Sequence, residues 1–270
     1  EIESGTTVMF KSGVDLYIGH ESSGNYKGAL IANGVTFTAF DSTGWNGIRF
    51  YNYADDGSSL IDSCIIENAV DGIYCQSANP MIRNSTIRNN TDGIYADEGS
   101  QPTITGNTFS NNTRPVRVSA NMIDNTIYGN TYSGNTKNYI EVQGANLDDN
   151  RVWTWKRDGG PYVLSSDLRV YRDTGTYTST QRAILEIESG TIVKGNASDR
   201  HIFIGAIQGA SNYDRYPGGL RATGVTFTSL DSNSWGGIFF QNSALDDSAY
   251  TLIDSCIIEN AVDGIYCQSA

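Results

Sequence analysis

The sequence predicts an all-β solenoid, in which short strands recur along the chain and stack coil upon coil. Three observations carry that prediction. Segments at 63–74, 84–95, 106–118 and 129–142 align on Cys64, Ser85, Asn107 and Asn130, which stand 21, 22 and 23 residues apart. Within each segment apolar and polar residues alternate, with Ile66, Ile87, Phe109 and Tyr132 two residues beyond the aligned position, and that is the period of a strand. No window reads as a helix, because β-branched residues, Asn and Gly interrupt every run. Strands this short cannot each bury a face alone. They become stable when every coil stacks about 4.8 Å from its neighbour and pairs in register.

A second, much longer repeat sets the organisation. The sequence LIDSCIIENAVDGIYCQSA fills positions 60–78 and returns unchanged at 252–270. EIESGTTV at 1–8 returns as EIESGTIV at 186–193, and 34–52 returns at 224–242 with 12 of 19 positions the same. The offset grows from 185 to 190 to 192, and one insertion falls where SGNYKGA (23–29) becomes SNYDRYPGG (211–219). Length change in such a stretch reads as a loop on an unchanged scaffold. The chain is thus about one and two-fifths copies of a module of roughly 190 residues. Copy one takes 1–150 and is truncated at its start, a junction takes 151–185, and copy two takes 186–270 and is truncated at its end. Coils of roughly 22 residues would number about twelve over the chain.

The short period resembles that of the right-handed parallel β-helix. The series Asn68, Asn89, Asn111, which lapses at Gly134, is similar to the asparagine ladder of that fold, where stacked amides satisfy each other at a tight turn. Asn is also a plain turn former that tolerates left-handed geometry. Residues 153–194 resemble a segment common in modular surface β-helix proteins of bacteria or archaea. There an aromatic-rich start, here Trp153 and Trp155, leads through 161–163 and 167–170 into the strand at 185–194. The resemblance implies an extracellular or cell-surface protein of tandem modules, and it speaks to fold more than to activity.

Composition agrees with a thin interior. Hydrophobic residues make up 39%, and 18 basic residues face 30 acidic ones, for a net charge of −12. Nucleic acid and anionic membranes need clustered Lys and Arg, so both are excluded as partners. No apolar run reaches membrane-spanning length, so no insertion is expected within these residues. The Asn, Thr, Ser, Gly and Tyr content suits an extracellular setting. N-glycosylation sequons begin at Asn84, Asn89, Asn111 and Asn196, as chance would supply in such a chain. Cys64 and Cys75, repeated as Cys256 and Cys267, align with Ser85 and Ala96 and so point inward. They are candidates for a disulfide closing half a coil, or small buried thiols packing like Ser and Ala.

Catalytic signals are weak. His20 and His201 fall at unequal places in the two copies and outside any metal or nucleophile motif. The acidic pairs Asp55-Asp56 and Asp246-Asp247 are equivalent between copies, and Asp148-Asp149 adds a third. All lie in turn contexts, where adjacent carboxylates have the wrong geometry for glycoside cleavage. Ca²⁺ is the one cofactor they would admit, through Asp55, Asp56, Asp246 and Asp247. Asn90-Thr91-Asp92 coincides with a short motif of polygalacturonase-type β-helix hydrolases, but the later elements that complete it do not follow. Asp92 also recurs as Asp71 in the preceding coil, which marks a repeat-turn residue. Arg49 stands where a lyase would place its base, yet copy two has Phe239 there.

Aromatic residues offer the other route. Trp45 and Trp235 each precede a Gly-Ile strand, and Tyr74, Tyr95 and Tyr266 follow Asp-Gly-Ile. Alternation turns these Tyr outward, where they could stack on sugar rings or shield the sheet. The reading that results is a non-enzymatic structural or adhesive cell-surface protein of tandem β-helix modules, in a filament or sheath. Its partners would be other copies of itself, further modules, and polysaccharide. The alternative is a carbohydrate-active β-helix enzyme, a lyase or glycoside hydrolase, or a polysaccharide-binding rod.

Overall fold

The structure, a computed structural model, describes residues 1–19, 27–172, 182–206, 217–231, 233–245 and 247–268. The chain divides into two compact units. One comprises Glu1–Met122, Thr126–Glu141 and Asp158–Gly160, the other Ile123–Asn125, Val142–Arg157 and Pro161–Ala270. Short strands make up both, and all pairings are parallel.

In the first unit the chain winds repeatedly through three sheets. Sheet A stacks Ile31–Asn33, Leu60–Asp62, Met81–Arg83, Thr103–Thr105 and Ile127–Tyr128. Sheet B stacks Thr7–Phe10, Thr36–Ala39, Ile65–Glu67, Thr86–Arg88, Thr108–Ser110 and Thr131–Ser133. Sheet C stacks Asp15–Ile18, Gly47–Phe50, Asp71–Cys75, Asp92–Ala96, Arg114–Ser119 and Ile140–Gln143. Alternation decides what is inside. Ile61, Ile82, Ile104 and Ile127 form one inward column, and Ile48, Ile73, Ile94 and Val116 form another. All but Ile127, at 2%, are 0% exposed, each contributing about 1.5–3 kcal/mol of burial.

The corners explain the abundance of Asn. The series Asn68, Asn89 and Asn111, expected as the ladder, occupies the left-handed conformation at the corner between sheets B and C, with φ of 61°, 56° and 56°. Gly134 continues it at φ 65°, because glycine meets the same requirement without a side chain. The ladder itself lies one residue later. Asn90 Nδ2 and its backbone N–H both donate to Asn112 Oδ1, at 3.1 and 3.0 Å. Asn112 repeats both bonds to Asn135 Oδ1 at 3.1 and 2.9 Å. A second ladder stands at the corner between sheets A and B, where the N–H groups of Cys64, Ser85 and Asn107 donate to the side chains of Ser85, Asn107 and Asn130. It closes on Asp158, whose carboxylate accepts from the Asn130 N–H at 2.7 Å and the Tyr132 hydroxyl at 2.6 Å.

Coil length follows the prediction only in mid-unit, where Asp71 pairs with Asp92 and Asp92 with Arg114, 21 and 22 residues on. Elsewhere coils are longer, as between Ile48 and Ile73, 25 residues, or Ile202 and Ile238, 36 residues. The extra residues form loops between strands that still pair in register.

The second unit has three parallel sheets of its own. One stacks Asn146–Leu147, Leu168–Val170, His201–Ile204, Gly237–Phe240 and Ile265–Cys267. Another stacks Val152–Trp155, Ala183–Ile187, Gly218–Thr223 and Leu252–Asp254, and the third holds Tyr162–Leu164, Ile192–Gly195, Thr226–Ser229 and Ile257–Ile258. Trp153 and Trp155 are buried, the latter against Tyr162 with ring centroids 5.1 Å apart.

Cys64, Cys75, Cys256 and Cys267 are all free thiols, so neither candidate disulfide is formed. Cys64 stands at the corner between sheets A and B, with Sγ 3.2 Å from the Asp62 carbonyl oxygen. Cys75 ends a strand of sheet C between Phe50 and Ala96. A strand of sheet B and a corner separate the two. Burial pushes both thiols above the usual range, which keeps them protonated and inert. Cys64→Ser should change stability by less than about 1 kcal/mol, because Ser85 already fills that rung and donates from Oγ to the Arg83 carbonyl at 2.8 Å. Thermal unfolding checks this, and a larger loss would mean that the sulfur packs in a way serine cannot.

Candidate ligand-binding face

The outward side of sheet C in the first unit gathers the densest polar chemistry among the described residues. Its geometry follows from the strand period. Ile73 and Cys75 point in, so Tyr74 points out, and the in-register coils set Tyr17, Arg49, Tyr74, Tyr95 and Arg117 in one outward column. Tyr51 lies between Tyr17 and Tyr74 at centroid distances of 5.8 and 6.5 Å, and Tyr74 is 5.2 Å from Tyr95. The guanidinium of Arg49 sits 5.1 Å over the Tyr74 ring, and that of Arg117 sits 4.4 Å over Tyr95.

Beside this column runs a row of carboxylates at the strand starts. Asp71 and Asp92 are in-register neighbours. Arg49 bridges Asp15, through Nε, and Asp71, through Nη2 at 3.3 Å. Arg114 grips Asp92 with both Nε and Nη2, the latter at 2.8 Å. Asp15 also accepts from Asn46 Nδ2 at 2.8 Å and from the Tyr17 hydroxyl at 3.1 Å. Burial pushes the Asp15 carboxyl up, but hydrogen bonds from Asn46 and Arg49 outweigh it and leave the group below its ordinary range. Asp71 goes the other way, as burial and the neighbouring Asp92 raise it against the pull of Arg49. Burial, helped by Asp97 and Tyr95, lifts the Tyr74 phenol to about 12, so it remains a neutral hydroxyl. Gly47, at φ 129°, lets the strand pass the Asp71 backbone, because a Cβ there would overlap the Asp71 carbonyl oxygen.

A family model described as "Right handed beta helix region" matches residues 22–174, more than half of the chain. The chain belongs to this right-handed β-helix family. No curated protein matches it, and no solved structure does.

Copy two of this β-helix protein builds the equivalent face from other residues. Asp15, Tyr17, Asn46 and Arg49 are replaced by His201, Phe203, Gly236 and Phe239. His201 lies 5.1 Å from Phe203 and 4.8 Å from Phe239, and Phe239 continues to Tyr266 at 5.1 Å. The changes are coupled by packing, since a side chain at Gly236 would run into the His201 ring.

Several expected site residues belong elsewhere. Trp45 and Trp235, taken as sugar-stacking candidates, are each 1% exposed. Their indole N–H groups donate to the carbonyls of Glu67 and Glu259 at 2.9 and 3.0 Å, and Trp45 stacks on Phe10 at 4.2 Å. They anchor the corner from within, because a ring preceding Gly-Ile falls on the inward side of the turn. Asp55 and Asp56 accept from Ser58 and from the backbone and side chain of Asn79. Asp247 accepts from the Ala249 N–H, while Asp246 and His20 lie outside the described residues. No group of three or more His, Cys, Asp or Glu suited to a metal ion occurs among the described residues. Of the Asn-Thr-Asp tripeptide, Asn90 is a buried ladder rung and Asp92 is tied to Arg114. Arg114 and Arg117 escaped attention as site residues, although the coil alignment sets them directly over Asp92 and Tyr95.

Proposed function

We propose that this β-helix protein is a non-enzymatic structural or adhesive cell-surface protein, whose modules keep one scaffold and offer their outward faces to polysaccharide. One observation carries the reading. Between copies the inward residues Val35, Phe37, Trp45, Ile48 and Phe50 recur unchanged as Val225, Phe227, Trp235, Ile238 and Phe240, while Asp15, Asn46, Arg49 and Tyr51 become His201, Gly236, Phe239 and Gln241. The scaffold is held and the face is altered, which suits recognition of differing surfaces better than one fixed reaction. In copy one the carboxylates are engaged by arginines, and the Tyr column gives sugar rings an apolar surface edged with hydroxyls. Further modules or other copies of the chain would extend it as a filament or sheath outside the cell.

A second reading, polysaccharide cleavage, has one observation in its favour. Asp71 and Asp92 are neighbours in differing environments, with Asp71 raised, and such pairs supply acid and base in glycoside chemistry. One experiment separates the two. The chain is incubated with soluble pectic, alginate and cellulosic polymers, and both retention in affinity gels and release of new chain ends are followed. Retention without release is expected, with Tyr74→Ala/Tyr95→Ala weakening retention about tenfold, roughly 1.4 kcal/mol. Release of chain ends that is lost in Asp71→Asn would establish the enzyme instead.

A further inference from the structure

The corner between sheets B and C of the first unit carries a groove of about 790 Å³, bounded on one side by residues 39–44 and on the other by the stacked turns. Its lining includes two columns, one residue from each per coil. The first is Asn68, Asn89, Asn111, and the second, two residues on, is Val70, Thr91, Thr113. Asn68 is partnered, donating from Nδ2 to Thr38 Oγ1 at 3.2 Å. The side-chain amides of Asn89 and Asn111 and the hydroxyls of Thr91 and Thr113 have no protein partner. Phe40, 62% exposed, stands at the margin.

The fold does not require those polar groups. The left-handed turn is met by Gly134 at the same column position, and the second column tolerates Val70. The backbone at this corner is satisfied from inside by Asn90, Asn112 and Asn135. The outward amides and hydroxyls are therefore surplus to folding. They repeat at the inter-strand spacing of about 4.8 Å, close to the advance of one sugar ring in an extended chain. Among the residues lining the groove only Asp41 is charged, and its carboxylate is occupied by the N–H and hydroxyl of Thr43.

We infer that this corner groove is a second glycan-binding site, built for a linear neutral polysaccharide lying along the stack. Each ring meets one Asn amide and one Thr hydroxyl, and a ring at the margin packs on Phe40. The site shares no residue with the Tyr–Arg–Asp face and stands whether or not that face binds anything.

The stack itself supplies the variants that test it. Asn89→Gly/Asn111→Gly copies Gly134 and keeps the turn, and Thr91→Val/Thr113→Val copies Val70. With cellohexaose as the probe in isothermal titration calorimetry of the whole chain, binding is expected, weakened about tenfold or more by either double variant and by Phe40→Ala. Thermal unfolding of the variants should match the parent. Absence of cellohexaose binding, or equal affinity in the Gly and Val variants, overturns the inference. So does loss of binding in Tyr95→Ala with the Gly variant unaffected, which would place the ligand on sheet C. A glycan covalently attached to Asn89 or Asn111 in native material would also overturn it, by filling the groove.

Discussion

Asn112→Ala is expected to lower stability by about 2–5 kcal/mol, while Asn111→Gly one residue earlier moves it by less than about 0.5. The two asparagines are neighbours in sequence and opposites in role. Asn112 is 1% exposed. Its Oδ1 is the acceptor for the Asn90 N–H, and its Nδ2 donates to the Ile87 carbonyl at 2.9 Å. Alanine leaves both of those buried backbone groups unpaired, at about 1–3 kcal/mol each. Asn112→Asp should be worse, because a carboxylate would face the Asn135 oxygen and the Ile87 carbonyl with no cation beside it. Asn111 only holds a left-handed turn that glycine adopts freely. Urea unfolding followed by circular dichroism reads the difference, with amide exchange at Asn90 as the local probe should the stack open in segments. Equal losses at 111 and 112 would refute the assignment of the ladder.

That contrast also shows how far the sequence could be read. Period and alternation identified the strands, because a column such as Ile73, Ile94 and Val116 leaves a regular apolar mark. They could not decide which of two adjacent asparagines turns inward, since Asn suits both a left-handed corner and a ladder rung. The sign was nevertheless present. Asn111 is followed by glycine one coil later, whereas the next series continues as Asn90, Asn112 and Asn135, and only a position that uses its side chain excludes glycine. Trp45 misled for a related reason. A corner residue has no alternation to fix its side, so its aromatic character was read as surface chemistry. The arginines were hidden because they share no residue type with the column they join. Arg117 stands in a tyrosine series, and Arg114 replaces the Asp of earlier coils, so only the coil register brings them to the site.

The second large effect concerns Arg114. Arg114→Met leaves the Asp92 carboxylate, 4% exposed, with only Arg117 at 4.0 Å to balance it. A loss of about 2–4 kcal/mol is expected, below the full cost of a broken buried pair because Arg114 itself is 26% exposed and water relieves part of it. Replacing both partners, in Asp92→Asn/Arg114→Met, should recover most of that loss, because charge burial largely cancels the attraction within such a pair. Chemical denaturation of the single and double variants measures the recovery. The outcome bears on function. A charged row that can be removed as a pair with little loss of stability is not there to hold the coils together, and recognition of a ligand remains as its physical use. The double variant should then fold normally and bind polysaccharide at sheet C more weakly. If it is as unstable as Arg114→Met alone, the row is structural and the binding face shrinks to its tyrosines.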